Sequence, residues 1–206
     1  QLCFEAAVAG GIPVIKSVRE ALAGNAVSEV AGIINGTANF ILTEMSNKGR
    51  AFEEVLLEAQ ALGYAEADPT FDVDGTDAAH KLVILASLAF GTPLSIDAPA
   101  KQGIQALTPE DLDYAKTLGY RVKHLGIARR TGGRIEMRVH PTLIPENKQL
   151  AGIDGVLNAI TVKADAVGEL LLVGPGAGGS ATASSVCADI IDIARDRGIT
   201  GYPLGI

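Results

Sequence analysis

The chain has 206 residues, 48% of them hydrophobic and 20% charged, and a formal net charge of -7. That length supports one domain with a substantial core, and the composition is that of a globular protein. The acidic balance excludes the basic footprint expected of a nucleic-acid binder, since Arg129-Arg130 is an isolated basic pair before a turn.

In chain order, Gly10-Gly11-Ile12-Pro13 reads as a loop. Ser17 reads as the cap of a short helix to Ala23, stopped by Gly24-Asn25. Val27 to Ile34 is expected to be a strand, and Thr37 to Asn47 a helix ended by Lys48-Gly49. Phe52 to Leu62 is expected to be an amphipathic helix with Gly63 just past its end. Asp74 to Phe90 reads as a helix that is apolar almost all round, and therefore buried, until Gly91-Thr92-Pro93 breaks it.

Thr108-Pro109-Glu110-Asp111 combines a cap, a proline at the first helical position and acidic first-turn residues, opening a helix to about Leu118. Arg121 to Arg129 and Arg134 to His140 read as strands joined by the hairpin signal Arg130-Thr131-Gly132-Gly133. Asn158 to Ala164 and Gly168 to Val173 are two further strands, and Ser180 to Arg197 is the last helix, stopped by Gly198. Strands and helices are segregated rather than strictly alternating. The expected class is α+β: a mixed, mostly antiparallel sheet of about five strands with helices packed on one face.

Cys3 and Cys187 are the only cysteines. They form no disulfide framework, so free thiols and a cytoplasmic location are expected. No apolar run reaches the length of about 18 residues that a membrane span needs. Glu5 interrupts the start of the chain without a preceding basic segment, so no signal peptide is expected. A chain that opens at Gln1 and ends at Tyr202-Pro203-Leu204-Gly205-Ile206 is expected to be an excised domain, residues 1-206 of a longer protein.

The densest chemistry lies in 63–81. Glu66, Asp68, Asp72, Asp74, Asp77 and Lys81 crowd around a Pro/Gly loop at the mouth of the buried helix. Asp74, Asp77 and Lys81 are spaced i, i+3, i+7 and would share one helix face. Two readings stand. In one, Asp74 caps the helix and Asp77–Lys81 is an ordinary i, i+4 ion pair. In the other, a lysine among carboxylates in a partly dry cleft serves general acid/base chemistry.

Gly174-Pro175-Gly176-Ala177-Gly178-Gly179 matches Gly-x-Gly-x-x-Gly between a strand and a helix. It reads as a dinucleotide fingerprint, as a helix-opening turn facing an anion or cofactor edge, or as a plain tight turn. The first lacks the following strand and acidic residue. His80, His124 and His140 have no metal-ligand spacing, which argues against zinc. His80 reads as structural. Asp189, Asp192 and Asp196, interleaved with Arg195 and Arg197, read as a solvated helix face.

The pattern Gly-Tyr-x-Glu-x-Asp-Pro at Gly63–Pro69, followed by Asp-x-x-Gly-x-Asp-x-x-x-Lys from Asp72 to Lys81, resembles the substrate-binding segment of homoserine dehydrogenases. The segment Phe4 to Ile15 looks like that family's metal-binding loop, and Gly32 to Leu42 looks like its Gly-Thr loop and following helix. The order agrees, and the resemblance spans essentially the whole chain. It implies the catalytic, substrate-binding and dimerisation domain of an enzyme that interconverts L-homoserine and L-aspartate 4-semialdehyde with NAD(P), in threonine and methionine biosynthesis.

Carried over residue by residue, the resemblance makes Lys81 the proton-transfer group and Asp77 its orienting partner. Glu66, Asp72, Asp77, Thr37 and Tyr64 would contact substrate, with carboxylates on its ammonium. Gly63, Glu66, Gly176 and Gly178 would line the cofactor, and the carbonyls of Glu5, Val8, Gly10 and Ile12 would hold a sodium ion. Locally, the last segment reads equally as a Gly-rich entry turn without metal. The family's dinucleotide domain precedes this region and supplies most cofactor contacts, so this piece alone is expected to be inactive. A homodimer is expected, with no nucleic-acid or membrane partner. Two alternatives remain: a related semialdehyde or phosphate-handling dehydrogenase, which would want a better-placed cysteine than Cys3 or Cys187, and a non-catalytic amino-acid-binding or dimerising module.

Overall fold

A computed structural model describes residues 2–196. Six strands form one sheet: β1 (Val27–Ile33), β2 (Ala100–Lys101), β3 (Tyr120–Thr131), β4 (Arg134–Pro145), β5 (Leu157–Ala164) and β6 (Gly168–Pro175), in the order β2-β4-β3-β1-β5-β6. All neighbours are antiparallel except β2 and β4, so the sheet is mixed, as expected. The five expected strands are present. The sixth, β2, pairs through only two residues, too short to carry a period. β4 runs past His140, where the sequence reading ends, through Pro141 to Pro145. Beyond Val139 no described strand lies on its outer side, so the missing proline N–H costs no ladder bond.

The helices are α1 (Val14–Lys16, continuing into a π turn over Ser17–Ala21), α2 (Gly36–Lys48), α3 (Phe52–Ala61), α4 (Thr70–Val73), α5 (Thr76–Phe90), α6 (Pro109–Thr117) and α7 (Gly179–Asp196). The expected end of the last helix at Arg197-Gly198 lies outside the described residues. α6 carries the expected capping box between Thr108 and Asp111. α1 starts earlier than its expected Ser17 cap, because a remote residue caps it. The buried Glu5 carboxylate accepts the backbone N–H of Ile15 at 2.8 Å and of Lys16 at 2.9 Å. Burial pushes the Glu5 carboxyl up, and these two donors pull it back.

Alternation along β1 divides the core. Val30 faces a cluster with Leu82 and Leu85 of α5 and with Val8, Ile12 and Ile15 of the N-terminal segment. Ala31 and Ile33 face the other side with Leu125, Ile127 and Ile144, covered by the 3-10 turn Gln149–Gly152. A third cluster joins α2, α3 and α6 through Ile41, Met45, Val55 and Leu112, together with Ile104. Leu82 and Leu85 are 1% exposed, and each such burial contributes about 1.5–3 kcal/mol. α5 is therefore a fixed rod against the sheet, and its first two turns can hold polar groups in place.

Candidate active site

Three elements converge on the start of α5. The first is the turn between β1 and α2. Asn35 is the N-cap of α2, its side-chain oxygen accepting the Ala38 N–H at 2.8 Å. The second is α4, which follows Pro69 directly and carries Asp72. The third is α5 itself, carrying Asp77 and Lys81.

Here the expected helix start needs correction. Asp74 lies outside α5 and does not cap it. The N-cap is Gly75, at φ 86, a left-handed conformation that suits glycine and lets α4 turn sharply into α5. Asp74 instead accepts the N–H and hydroxyl of Thr76 at 2.8 and 2.9 Å. Asp74, Asp77 and Lys81 therefore do not form one helical stripe. Only Asp77 and Lys81 do.

Lys81 Nζ donates to Asp77 Oδ2 at 2.7 Å and to the Ile34 carbonyl at 3.3 Å. Both side chains are about three-quarters buried, at 26% and 24% exposure, so the pair is more than a solvated i, i+4 bridge. Asn35, which the sequence reading omits, joins this pair to Asp72. Its side-chain NH₂ donates to Asp72 Oδ1 at 2.7 Å and to Asp77 Oδ2 at 2.9 Å. Burial is the main influence on Asp72 and raises its carboxyl above the ordinary range. The Asn35 donor opposes this, the neighbouring Asp77 raises it, Lys81 lowers it and Glu66 raises it.

The other expected substrate residues form a rim. The Thr37 hydroxyl donates to the Tyr64 carbonyl at 2.6 Å, and the Tyr64 ring stacks edge-on to Phe40 at 5.1 Å. This ties the start of α2 to the loop carrying Glu66. Glu66 is exposed, and its carboxylate makes no hydrogen bond among the described residues. Gly63 is exposed at the end of α3. His80 stacks on Phe71 at 5.3 Å, in keeping with a structural role.

The Gly-rich turn between β6 and α7 lies beside a different segment. Its Gly176 packs so closely on Asn158 that an added Cβ would sit 1.0 Å from Asn158 Oδ1. Asn158 in turn donates to the Ile33 carbonyl at 2.8 Å. The next carbonyl along, that of Ile34, is the one Lys81 reaches. Asn158 and the end of β1 are therefore the link between this turn and Lys81. Gly63 and Glu66 lie instead on the segment between α3 and α4. The turn opens onto a cleft of about 620 Å³ that includes Gly11, Ala177, Gly178, Ser180 and Ser184. β6 is an antiparallel edge strand with β5 as its described neighbour. The Gly-x-Gly-x-x-Gly match is thus not embedded in a βαβ unit among the described residues. The two other readings, a helix-opening turn facing an anion or cofactor edge and a plain tight turn, both remain.

The expected metal loop is a tight, buried turn. Ala9 has φ 52, the one non-glycine with positive φ among the described residues. The Gly10 carbonyl accepts the Ser185 hydroxyl at 2.6 Å, and the Ile12 carbonyl accepts the Val14 N–H at 2.7 Å. Each keeps a second lone pair. The Glu5 carboxylate is occupied with Ile15 and Lys16, so Glu5 could offer a cation only its backbone carbonyl. The donors on offer are neutral backbone oxygens, the ligand type that hard cations favour. Among the described residues no group of three or more His, Cys, Asp and Glu side chains could hold a metal ion.

α7 departs from the expected solvated acidic face. Asp189 accepts the Glu5 N–H at 2.9 Å, and Asp192 pairs with Lys16. Both fasten α7 to the N-terminal segment. The side chains of Asp196 and Arg197 lie outside the described residues. No described helix is long and apolar enough to cross a membrane.

A family model described as homoserine dehydrogenase matches residues 13–191. A homoserine dehydrogenase of Pseudomonas aeruginosa is 62% identical over 194 residues, which cover 94% of this chain and 45% of that protein. The crystal structure of a homoserine dehydrogenase from Thiobacillus denitrificans aligns with a TM-score of 0.94 at 57% identity, over 98% of this chain and 47% of that one. A hyperthermophilic archaeal homoserine dehydrogenase mutant, solved in complex with NADPH, aligns at a TM-score of 0.79 and 32% identity, over 93% of this chain and 55% of that one. The chain thus spans a little under half the length of the curated relatives it matches. With a shared fold, high identity and a family match over most of its length, the chain belongs to the homoserine dehydrogenase family.

Proposed function

We propose that this chain is the catalytic, substrate-binding and dimerising domain, residues 1–206, of an NAD(P)-dependent enzyme that interconverts L-homoserine and L-aspartate 4-semialdehyde. Such an activity serves threonine and methionine biosynthesis. The observation that carries the reading is the partly buried Lys81–Asp77 pair, joined through Asn35 to Asp72. A non-catalytic amino-acid-binding module would need the carboxylates but not a lysine aligned by one of them.

In the oxidation direction Lys81 Nζ, in its neutral form, takes the proton of the substrate hydroxyl. In reduction the ammonium form returns it. Asp77 fixes the lysine through its 2.7 Å contact and stabilises the charge that appears on Nζ. Asp72 and Glu66 accept the substrate ammonium, with the Thr37 hydroxyl and Tyr64 backbone at the rim. The nicotinamide cofactor, when bound, supplies the acceptor for the hydride leaving the same carbon. Gly63, Glu66, Gly176 and Gly178 would border its nicotinamide end. Most cofactor affinity would come from a dinucleotide-binding part outside this chain. The carbonyls of Glu5, Val8, Gly10 and Ile12 would hold a sodium ion with a structural task, since the buried turn they form is fastened to α7 by Ser185.

The test uses the full-length protein. It is expected to oxidise L-homoserine with NAD or NADP, and Glu66→Gln is expected to raise the homoserine KM at least tenfold with kcat within about threefold. No homoserine-dependent reduction of either cofactor would sink the reading. An unchanged homoserine KM would remove Glu66 from the substrate site.

We also propose a homodimer formed through the sheet. β6 is an edge strand of eight residues with Val173 45% exposed, and such edges are normally covered. Sedimentation at micromolar concentration should give a dimer mass, and a monomer alone would contradict it.

A further inference from the structure

Asn35 performs two tasks with one amide. Its oxygen caps α2 through the Ala38 N–H, and its NH₂ group spends both hydrogens on two different carboxylates, Asp72 at 2.7 Å and Asp77 at 2.9 Å. It is 5% exposed, so water does not compete for these bonds. Two carboxylates this near each other repel, and a neutral double donor between them offsets that repulsion without neutralising either one. Lys81 then bonds the same Asp77 oxygen that Asn35 bonds.

We infer that Asn35 is a positioning residue: its amide orients Asp72 towards the substrate ammonium and fixes Asp77 for Lys81, so that the two halves of the site share one anchor at the N-terminus of α2. The inference rests on the homoserine reading proposed above, which leaves Asn35 without a role. The capping bond makes the anchor stiff. An amide flip would place the oxygen against two carboxylates and the NH₂ against a backbone donor, so the network admits one orientation. Around Asp72 the facing charged groups are Asp77 and Lys81 from α5 and Glu66 from the loop before α4. Of these only Lys81 favours the charged form, so losing the Asn35 donor leaves the carboxylate under-supported, and its proton affinity rises further.

The discriminating variant is Asn35→Ser in the full-length protein. Serine keeps an oxygen for the cap but is too short to bridge the two carboxylates. The expected result is a homoserine KM raised at least tenfold, with the acid limb of kcat/KM displaced to higher pH and the cofactor KM within threefold of the parent. Asn35→Thr, which likewise keeps a capping oxygen and is too short to bridge the two carboxylates, is expected to move the limb the same way and serves as the readout if the serine variant does not fold. A purely structural cap predicts parent-like KM and pH profile in both variants, and that outcome overturns the inference. Parent protein without homoserine-dependent activity would instead remove the underlying functional reading.

Discussion

Replacement of Lys81 by alanine in the full-length protein is expected to lower turnover by about 10²–10⁴, the range that a positioned proton-transfer group contributes. The homoserine KM should change by less than about fivefold, because the ammonium contacts lie on Asp72 and Glu66 rather than on Nζ. Folding should be little affected. Lys81 is partly exposed, and the Asn35 amide still satisfies Asp77 when the lysine is gone. Steady-state kinetics on a variant with parent-like circular dichroism gives the answer. Turnover within threefold of the parent would take Lys81 out of the chemistry.

Gly176→Ala is the second large effect, and it acts through packing. The added methyl would fall 1.0 Å from Asn158 Oδ1 and 2.1 Å from its Cγ, so the two cannot coexist. Two escapes exist, and both cost bonds. If Asn158 swings away, the Ile33 carbonyl loses its donor inside the sheet, since Asn158 is 3% exposed. If the turn lifts, it separates from Gly10 and Gly11, where even a Cβ would come within 2.8 to 3.0 Å of its carbonyls. Overpacking of this severity costs about 3 kcal/mol, which lowers the melting temperature by roughly 6–12 °C in a chain of this size. Gly179→Ala is the control, because its methyl meets nothing within 4 Å. Calorimetry of the two side by side should separate them clearly, and equal melting temperatures would mean that the turn is not seated on Asn158.

The sequence is most informative where a period or a named turn residue sets the backbone. Gly132-Gly133 between two strand-forming segments marks the hairpin of β3 and β4, both glycines having positive φ. Thr108-Pro109 marks α6 for the same kind of local reason. What the sequence hides is what depends on partners far along the chain. α1 begins at Val14 because Glu5 reaches forward to cap it, and no local signal announces that. Asp189 and Asp192 look like a wet helix face until Glu5 and Lys16 are placed against them. Within the candidate site, the Asp77–Lys81 spacing is readable because a helix brings i and i+4 together. Asn35 is a different case. The sequence reading gives it no role, and its reach to Asp72 and Asp77 crosses 37 and 42 residues. Asn158, opposite Gly174 in the ladder, gives only the faint signal of one polar residue in a strand that also carries Thr161 and Lys163.

The placement of β1 between β3 and β5 has a consequence for chain entropy. β3 with β4, and β5 with β6, are hairpins whose partners are joined by tight turns, whereas β1 pairs Val30 with Ala128 and with Val162. The middle strand of the sheet is therefore the one whose pairing closes the longest loops. Closure entropy grows only logarithmically with loop length, so the burden falls mainly on the rate of assembly and little on final stability. The same strand ends at the two carbonyls that receive Asn158 and Lys81. No short peptide cut from this chain can hold that geometry, because the lysine, the amide turn and the glycine turn meet only once the whole ladder has closed. Alignment of the reacting groups is thus a property of cooperative folding of the entire sheet, not of any one motif.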